Sequence, residues 1–159
     1  MRWAVMLLLA LPAAAPPASA AAAQPDPTFS AQLHRGPCFG TCPNYHVSID
    51  AAGQVVFSGW TARRGPPSPC PSERRWRAPA ASVARLQRLI DRSGFFDFQP
   101  SYQSRIMDIA QFEVTITRRG RTATVVDRDG LMVGMPKAMI EIEKAIDSAA
   151  QDARCLASP

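Results

Sequence analysis

The sequence predicts an α+β domain: an antiparallel sheet of four to six strands with two helices packed on one face, in the order β-β-β-(β)-α-β-β-α. Three observations carry this expectation. Tyr45, Val47 and Ile49 alternate with polar residues, as do Phe112, Val114 and Ile116, which is the period-two pattern of half-buried strands. Apolar residues recur at helical spacing in two other segments, one around Val83 to Ile90 and one from Met139 to Ala149. Finally, the strands come as hairpins and do not alternate singly with helices, so a parallel sheet is disfavoured.

Taken in order, residues 29–33 form a short first strand, followed by a turn-rich stretch from Arg35 to Pro43. The strand around Tyr45, Val47 and Ile49 turns at Ala51-Ala52-Gly53 into a β-branched and aromatic strand at 55–60. Pro66, Pro67, Pro69 and Pro71 then preclude a ladder, so 61–71 is a long loop before a short strand at 74–77. Pro79 and Ser82 open a helix with Val83, Leu86, Leu89 and Ile90 on its apolar face, and Gly94 ends it. Phe95, Phe96 and Phe98 are a plug for the core. Arg119-Gly120 is a two-residue turn linking the Phe112 strand to a strand at 122–126. Pro136 starts a closing helix with Met139, Ile142, Ile146 and Ala149 as its stripe.

The N-terminus has the layout of a secretory leader. Met1-Arg2 precedes an apolar run, Trp3 to Leu11, and Ala18-Ser19-Ala20 fits an A-x-A cleavage site. That run is too short to span a bilayer, which takes about 20 apolar residues. The expected division is a cleaved leader at 1–20, a flexible stretch at 21–28, one α+β domain at 29–155 and a tail at 156–159. The chain is therefore expected to be exported, periplasmic or secreted, and not membrane-spanning. Its net charge of +5 comes largely from arginine, an abundance that needs no functional explanation.

Four cysteines, Cys38, Cys42, Cys70 and Cys155, follow the leader. An even count in an exported chain suggests two disulfides. Pairing of Cys38 with Cys42 and of Cys70 with Cys155 is favoured, with the two crossed connectivities left open. Cys38 and Cys42 could instead be a redox pair, but such a site wants two intervening residues at a helix N-terminus, and here three intervene before a strand. A metal site would need more Cys or His than His34 and His46 supply, so no metal and no cofactor is expected.

Other residues carry groups capable of chemistry. Gly36 and Gly40 beside Arg35 could form an anion-binding nest, although glycine in such a turn more often just supplies positive φ. Asp108 and Asp127 could approach as paired carboxylates, but turn-capping and strand-end roles are the commoner ones. Arg63, Arg64, Arg74, Arg75 and Arg77, with Trp60 and Trp76, could meet an anionic envelope component, although solvated charge is the default and is expected of Arg118, Arg119 and Arg121 beside their turn. Nucleic acid is not an expected partner of an exported chain. The sequence has no G-x-S-x-G elbow for a nucleophilic serine.

The run Arg35-Gly-Pro-Cys-Phe-Gly-Thr-Cys-Pro-Asn-Tyr45 resembles the R-G-x-C-x-G-x-C-P-x-Y opening of a family of small exported bacterial domains of unknown function. Met107-Asp108-Ile109-Ala110, Thr124-Val125-Val126-Asp127 and the closing helix extend the resemblance over roughly 32–150. Two departures stand out: Met107 to Ala110 replaces a Thr-Asp-Leu-Pro often seen there, and Cys70 and Cys155 look like additions. The resemblance implies this architecture and no activity, so no catalytic residue carries over.

The function expected from these residues is a non-enzymatic binding module of the cell envelope, with a protein or an anionic envelope component as partner. Arg35, Phe39, Gly40, Tyr45 and Trp60 are the candidate binding surface, subject to their exposure. The alternative is a thiol-disulfide oxidoreductase, or a redox-sensitive protein, using Cys38 and Cys42.

Overall fold

The computed structural model describes residues 26–40, 42–60 and 73–149, with Trp60 described in its backbone only. Seven strands form one sheet: β1 (Ser30–Arg35), β2 (Asn44–Asp50), β3 (Gln54–Trp60), β4 (Arg74–Arg77), β5 (Ser101–Gln103), β6 (Phe112–Arg118) and β7 (Arg121–Arg128). Their spatial order is β4-β3-β2-β1-β6-β7-β5. The helices are α1 (Ala80–Ser93) and α2 (Lys137–Ala149). They pack on each other, and α2 crosses β1 and β2.

Period-two alternation sets the two faces of the sheet. Ala31, Leu33, Tyr45, Val47, Ile49, Val55, Phe57, Val114, Ile116 and Val125 are buried beneath the helices. The opposite face is mostly polar. Cross-strand hydroxyl pairs lie there at 2.8 Å for Thr115 with Thr124 and 3.0 Å for Thr117 with Thr122. His34 and His46 are register partners and their rings stack at 5.9 Å.

Both helices bury the stripes their spacing predicts: Val83, Leu86, Leu89 and Ile90 from α1, and Met139, Ile142, Ile146 and Ala149 from α2. Pro79 stands before α1 and its carbonyl accepts from the Ser82 and Val83 amides. Gly94 closes that helix in the left-handed region, at φ 72°, where a Cβ is disfavoured. Phe95 then turns back into the core and meets Phe96 edge-on at 5.7 Å.

The sheet departs from expectation in two respects. It has seven strands and not four to six, and it is mixed. The unforeseen strand is β5, which pairs parallel with β7 in the register Ser101↔Val126 to Gln103↔Arg128. Three residues with one inward side chain, Tyr102, are too short to show a period, and a parallel partner distant in sequence leaves no turn signal. Element ends also move: β1 reaches Arg35 where 29–33 was expected, and β7 extends on both sides of 122–126.

The sheet's free edges are short. β4 is four residues with three arginines and β5 is three residues, both of which discourage pairing with another chain. Asp26, at the start of the described chain, accepts hydrogen bonds from the Thr28 hydroxyl and from the Arg119 amide. The expected leader at 1–20, the long loop, Cys70 and Cys155 lie outside the described residues.

Ile146 is wholly buried, whereas Ile106 is half exposed. Ile146→Ala is expected to lower unfolding free energy by about 2–5 kcal/mol. Ile106→Ala should stay within about 0.5 kcal/mol of the parent. Urea denaturation of both variants measures the difference.

Candidate functional site at one end of the sheet

Strand directions place three loops at the same end of the sheet. The C-termini of β1, β5 and β7 and the N-termini of β2 and β6 all lie there. The connections at 36–43, 104–111 and 129–136 therefore meet. Hydrogen bonds hold them together: Gly36 N–H donates to Gln111 O at 2.7 Å, and Phe39 N–H to Asp108 O at 3.4 Å. Ser104 N–H donates to Arg128 O at 2.9 Å.

The first loop is closed by the Cys38–Cys42 disulfide. Arg35 and Tyr45, which flank it, are register partners on β1 and β2 with side chains on the helix-covered face. Both reach one carboxylate on α2. The Tyr45 hydroxyl donates to Asp147 Oδ1 at 2.7 Å, and Arg35 Nε donates to Asp147 Oδ2 at 3.1 Å. The Arg35 guanidinium also lies 4.4 Å from the centroid of the Phe112 ring, a cation–π contact. Burial, followed by the negative charge of Asp147, pushes the Tyr45 hydroxyl above its ordinary range. Tyr45 thus stays a hydrogen-bond donor.

One turn earlier in α2, Glu143 is buried against Asp127 of β7. Burial first, and then the Asp127 charge, raise the Glu143 carboxyl to about 8, against the opposing field of Arg35. Glu143 is therefore protonated at neutral pH beside Asp127, the arrangement that lets two carboxyls occupy one dry site. Asp127 Oδ1 also accepts from Gly130 N–H at 2.7 Å. That approach requires glycine: a Cβ at residue 130 would lie 2.8 Å from Asp127 Oδ1, Met135 Sδ and Tyr102 Cβ.

Asp127 forms part of a groove of about 290 Å³, lined otherwise by Ile109, Ala110, Phe112, Asp129, Gly130, Leu131 and Ile140. Around it, the loops expose large apolar side chains. Phe39 is 90% exposed, Met132 75% and Met107 73%, with Ile106, Leu131 and Val133 about half exposed. All six belong to the three loops.

The structure sorts the sequence candidates. Phe39 is at the surface of the cysteine turn, and Gly40 takes φ 140° there, as a left-handed turn requires. Tyr45 is buried and Arg35 is engaged by Asp147, so these two brace the loop end and leave contact to others. Trp60 ends β3 opposite Asn44, with its side chain outside the described residues. Asp127 does pair with a carboxyl, but its partner is Glu143 and not Asp108, whose carbonyl holds Phe39. β2 follows the cysteine turn directly, so the helix N-terminus that activates a thioredoxin-type thiol has no counterpart after Cys42. No group of three His, Cys, Asp or Glu able to hold a metal occurs among the described residues. Sequence reasoning missed Glu143, Asp147 and the apolar turn at 130–133.

These features define a class: an α+β domain with a mixed seven-stranded sheet, two helices on one face, and a disulfide-closed loop end braced from the last helix. The chain belongs to the DUF6438 family, described as a domain of unknown function, which it matches over residues 30–150. No curated protein matches the chain.

The Glu143 carboxyl generates a pH dependence of stability. Its folded value, about 8, lies above its ordinary value of 4.5, so between these the folded state holds a proton that the unfolded state has lost. Stability is then full below pH 4.5 and falls as pH rises through 8, by roughly 3–5 kcal/mol. Melting temperatures measured across that window should decline in the parent and flatten in Glu143→Gln. A rise in both would show that the carboxyl is ionised in the fold.

Proposed function

We propose that this is an exported, non-enzymatic binding domain of the cell envelope that holds a partner protein on its apolar loop end. The observation that carries the reading is the convergence of Phe39, Met107, Leu131, Met132 and their neighbours, from three separate loops, at one end of the sheet. Scattered exposed hydrophobics are ordinary, but a gathering of them beside a groove is a feature of interaction sites. Loops on a rigid scaffold are where such sites sit. The leader-like N-terminus and the Cys38–Cys42 disulfide support export, since disulfides persist in oxidising compartments. In this reading the disulfide holds Phe39 in place and does no redox chemistry.

The test is site-specific photocrosslinking in the producing cell, with p-benzoylphenylalanine at Phe39, at Met132, and at Ala52 on the opposite end. Discrete adducts at Phe39 and Met132 but not at Ala52 are expected, with loss of the Phe39 adduct in Leu131→Ser. Equal labelling at both ends, or none, would sink the binding role. Intact-mass measurement of the recovered protein tests export separately: a chain beginning at Ala21 is expected, and one that retains Met1 refutes processing.

A further inference from the structure

The groove at the loop end has a charge opposite to that of the chain. The chain carries net +5, yet among the described residues the two ionisable side chains lining the groove, Asp127 and Asp129, are both acidic. The rest of its wall, from Ile109, Ala110, Phe112, Leu131 and Ile140, is apolar. Asp127 is 3% exposed, so its carboxyl is poorly hydrated and lies at the base of that wall. Behind it, Glu143 Oε1 is buried with no hydrogen-bond partner.

Two neighbouring cations among the described residues are engaged elsewhere. Arg35 lies on the Phe112 ring with its charge taken up by Asp147. Arg128 follows Asp127 in β7, so alternation sends it to the other face, and its guanidinium donates to Ser104 O. A volume of about 290 Å³ is small for a cofactor and suits one long side chain.

A ligand matching these walls has an apolar stem and a positive tip. We infer that the groove receives a lysine or arginine side chain of the partner protein, its stem on Ile109, Leu131 and Ile140 and its cationic head on Asp127 and Asp129. This rests on the proposed role of the loop end in protein binding and names the partner's chemistry.

The experiment is an amide NMR titration of the intact chain with n-butylammonium, n-butanol and butyrate as probes. n-Butylammonium is expected to shift the amides of Gly130, Leu131 and Ala110 and to bind about tenfold more tightly than n-butanol. That ratio should fall to near one in Asp127→Asn, which keeps an acceptor for the Gly130 N–H. It should also drop in Asp129→Asn, where asparagine suits the left-handed backbone at φ 53° and the test stands even where Asp127→Asn fails to fold. Equal affinity for ammonium and alcohol, or preference for butyrate, overturns the cationic occupant while crosslinking at Phe39 persists. Ammonium selectivity without any crosslink at Phe39 overturns the protein partner instead.

Discussion

Two adjacent strands and the last helix meet at the carboxylate of Asp147. Arg35 arrives from β1 and Tyr45 from β2, and among the described residues neither has another carboxylate as a hydrogen-bond partner. The carboxylate fixes the rotation of α2 about its own axis as well as its position over the sheet. Ile140 and Glu143 lie seven and four residues before Asp147, hence on the same side of the helix. With Asp147 held, Ile140 becomes a wall of the groove and Glu143 is turned against Asp127. A neutral replacement at 147 would leave a guanidinium partly buried without its counter-charge, which costs more than the pair contributes when intact. The spacing of Arg35 and Tyr45 around a short cysteine-closed loop thus has a physical meaning. It keeps the two donors side by side at the mouth of a hairpin.

The opposite end of the sheet is held by a different network. Arg118, 8% exposed, donates to Asp91 of α1 at 3.0 and 2.8 Å and lies 3.6 Å from Asp26. Hydrogen bonding from Arg118 is the main reason that the Asp91 carboxyl sits below its ordinary range. This end is closed by ion pairs, a two-residue turn and side chains that face inward. The loop end has its ion pair below the surface and apolar side chains above it. Both ends are braced, but among the described residues only the loop end presents large apolar groups to solvent.

What the sequence made legible follows from the range of each signal. Met139, Ile142, Ile146 and Ala149 announce α2, and Gly94 announces the end of α1, because helical spacing and a left-handed cap are local. The strands β2 and β6 were readable for the same reason. β5 was not, since three residues around Tyr102 acquire their state only from β7. Glu143 was hidden by its composition: it stands in Glu141-Ile142-Glu143-Lys144, which reads as a solvated stretch. Its position held a clue, four residues after Met139 and three before Ile146, inside the apolar stripe. Burial of an acid there demands a partner, and that partner, Asp127, lies on a separate element.

The buried carboxyl pair and the exposed apolar loops are consequences of one arrangement. Asp127 is drawn under the turn at 130–133 because its Oδ1 takes the Gly130 amide, and Gly130 allows that approach through its missing side chain. The same turn, being tight, leaves Leu131, Met132 and Val133 no room inward and presents them to solvent. Burial first, and then the field of Asp127, keep Glu143 neutral, so two like charges do not meet at the base of the groove. Low hydration strengthens whatever electrostatic contact a ligand makes there. On the proposed reading, an apolar rim over a buried carboxyl would favour a guest that brings both hydrocarbon and a positive charge.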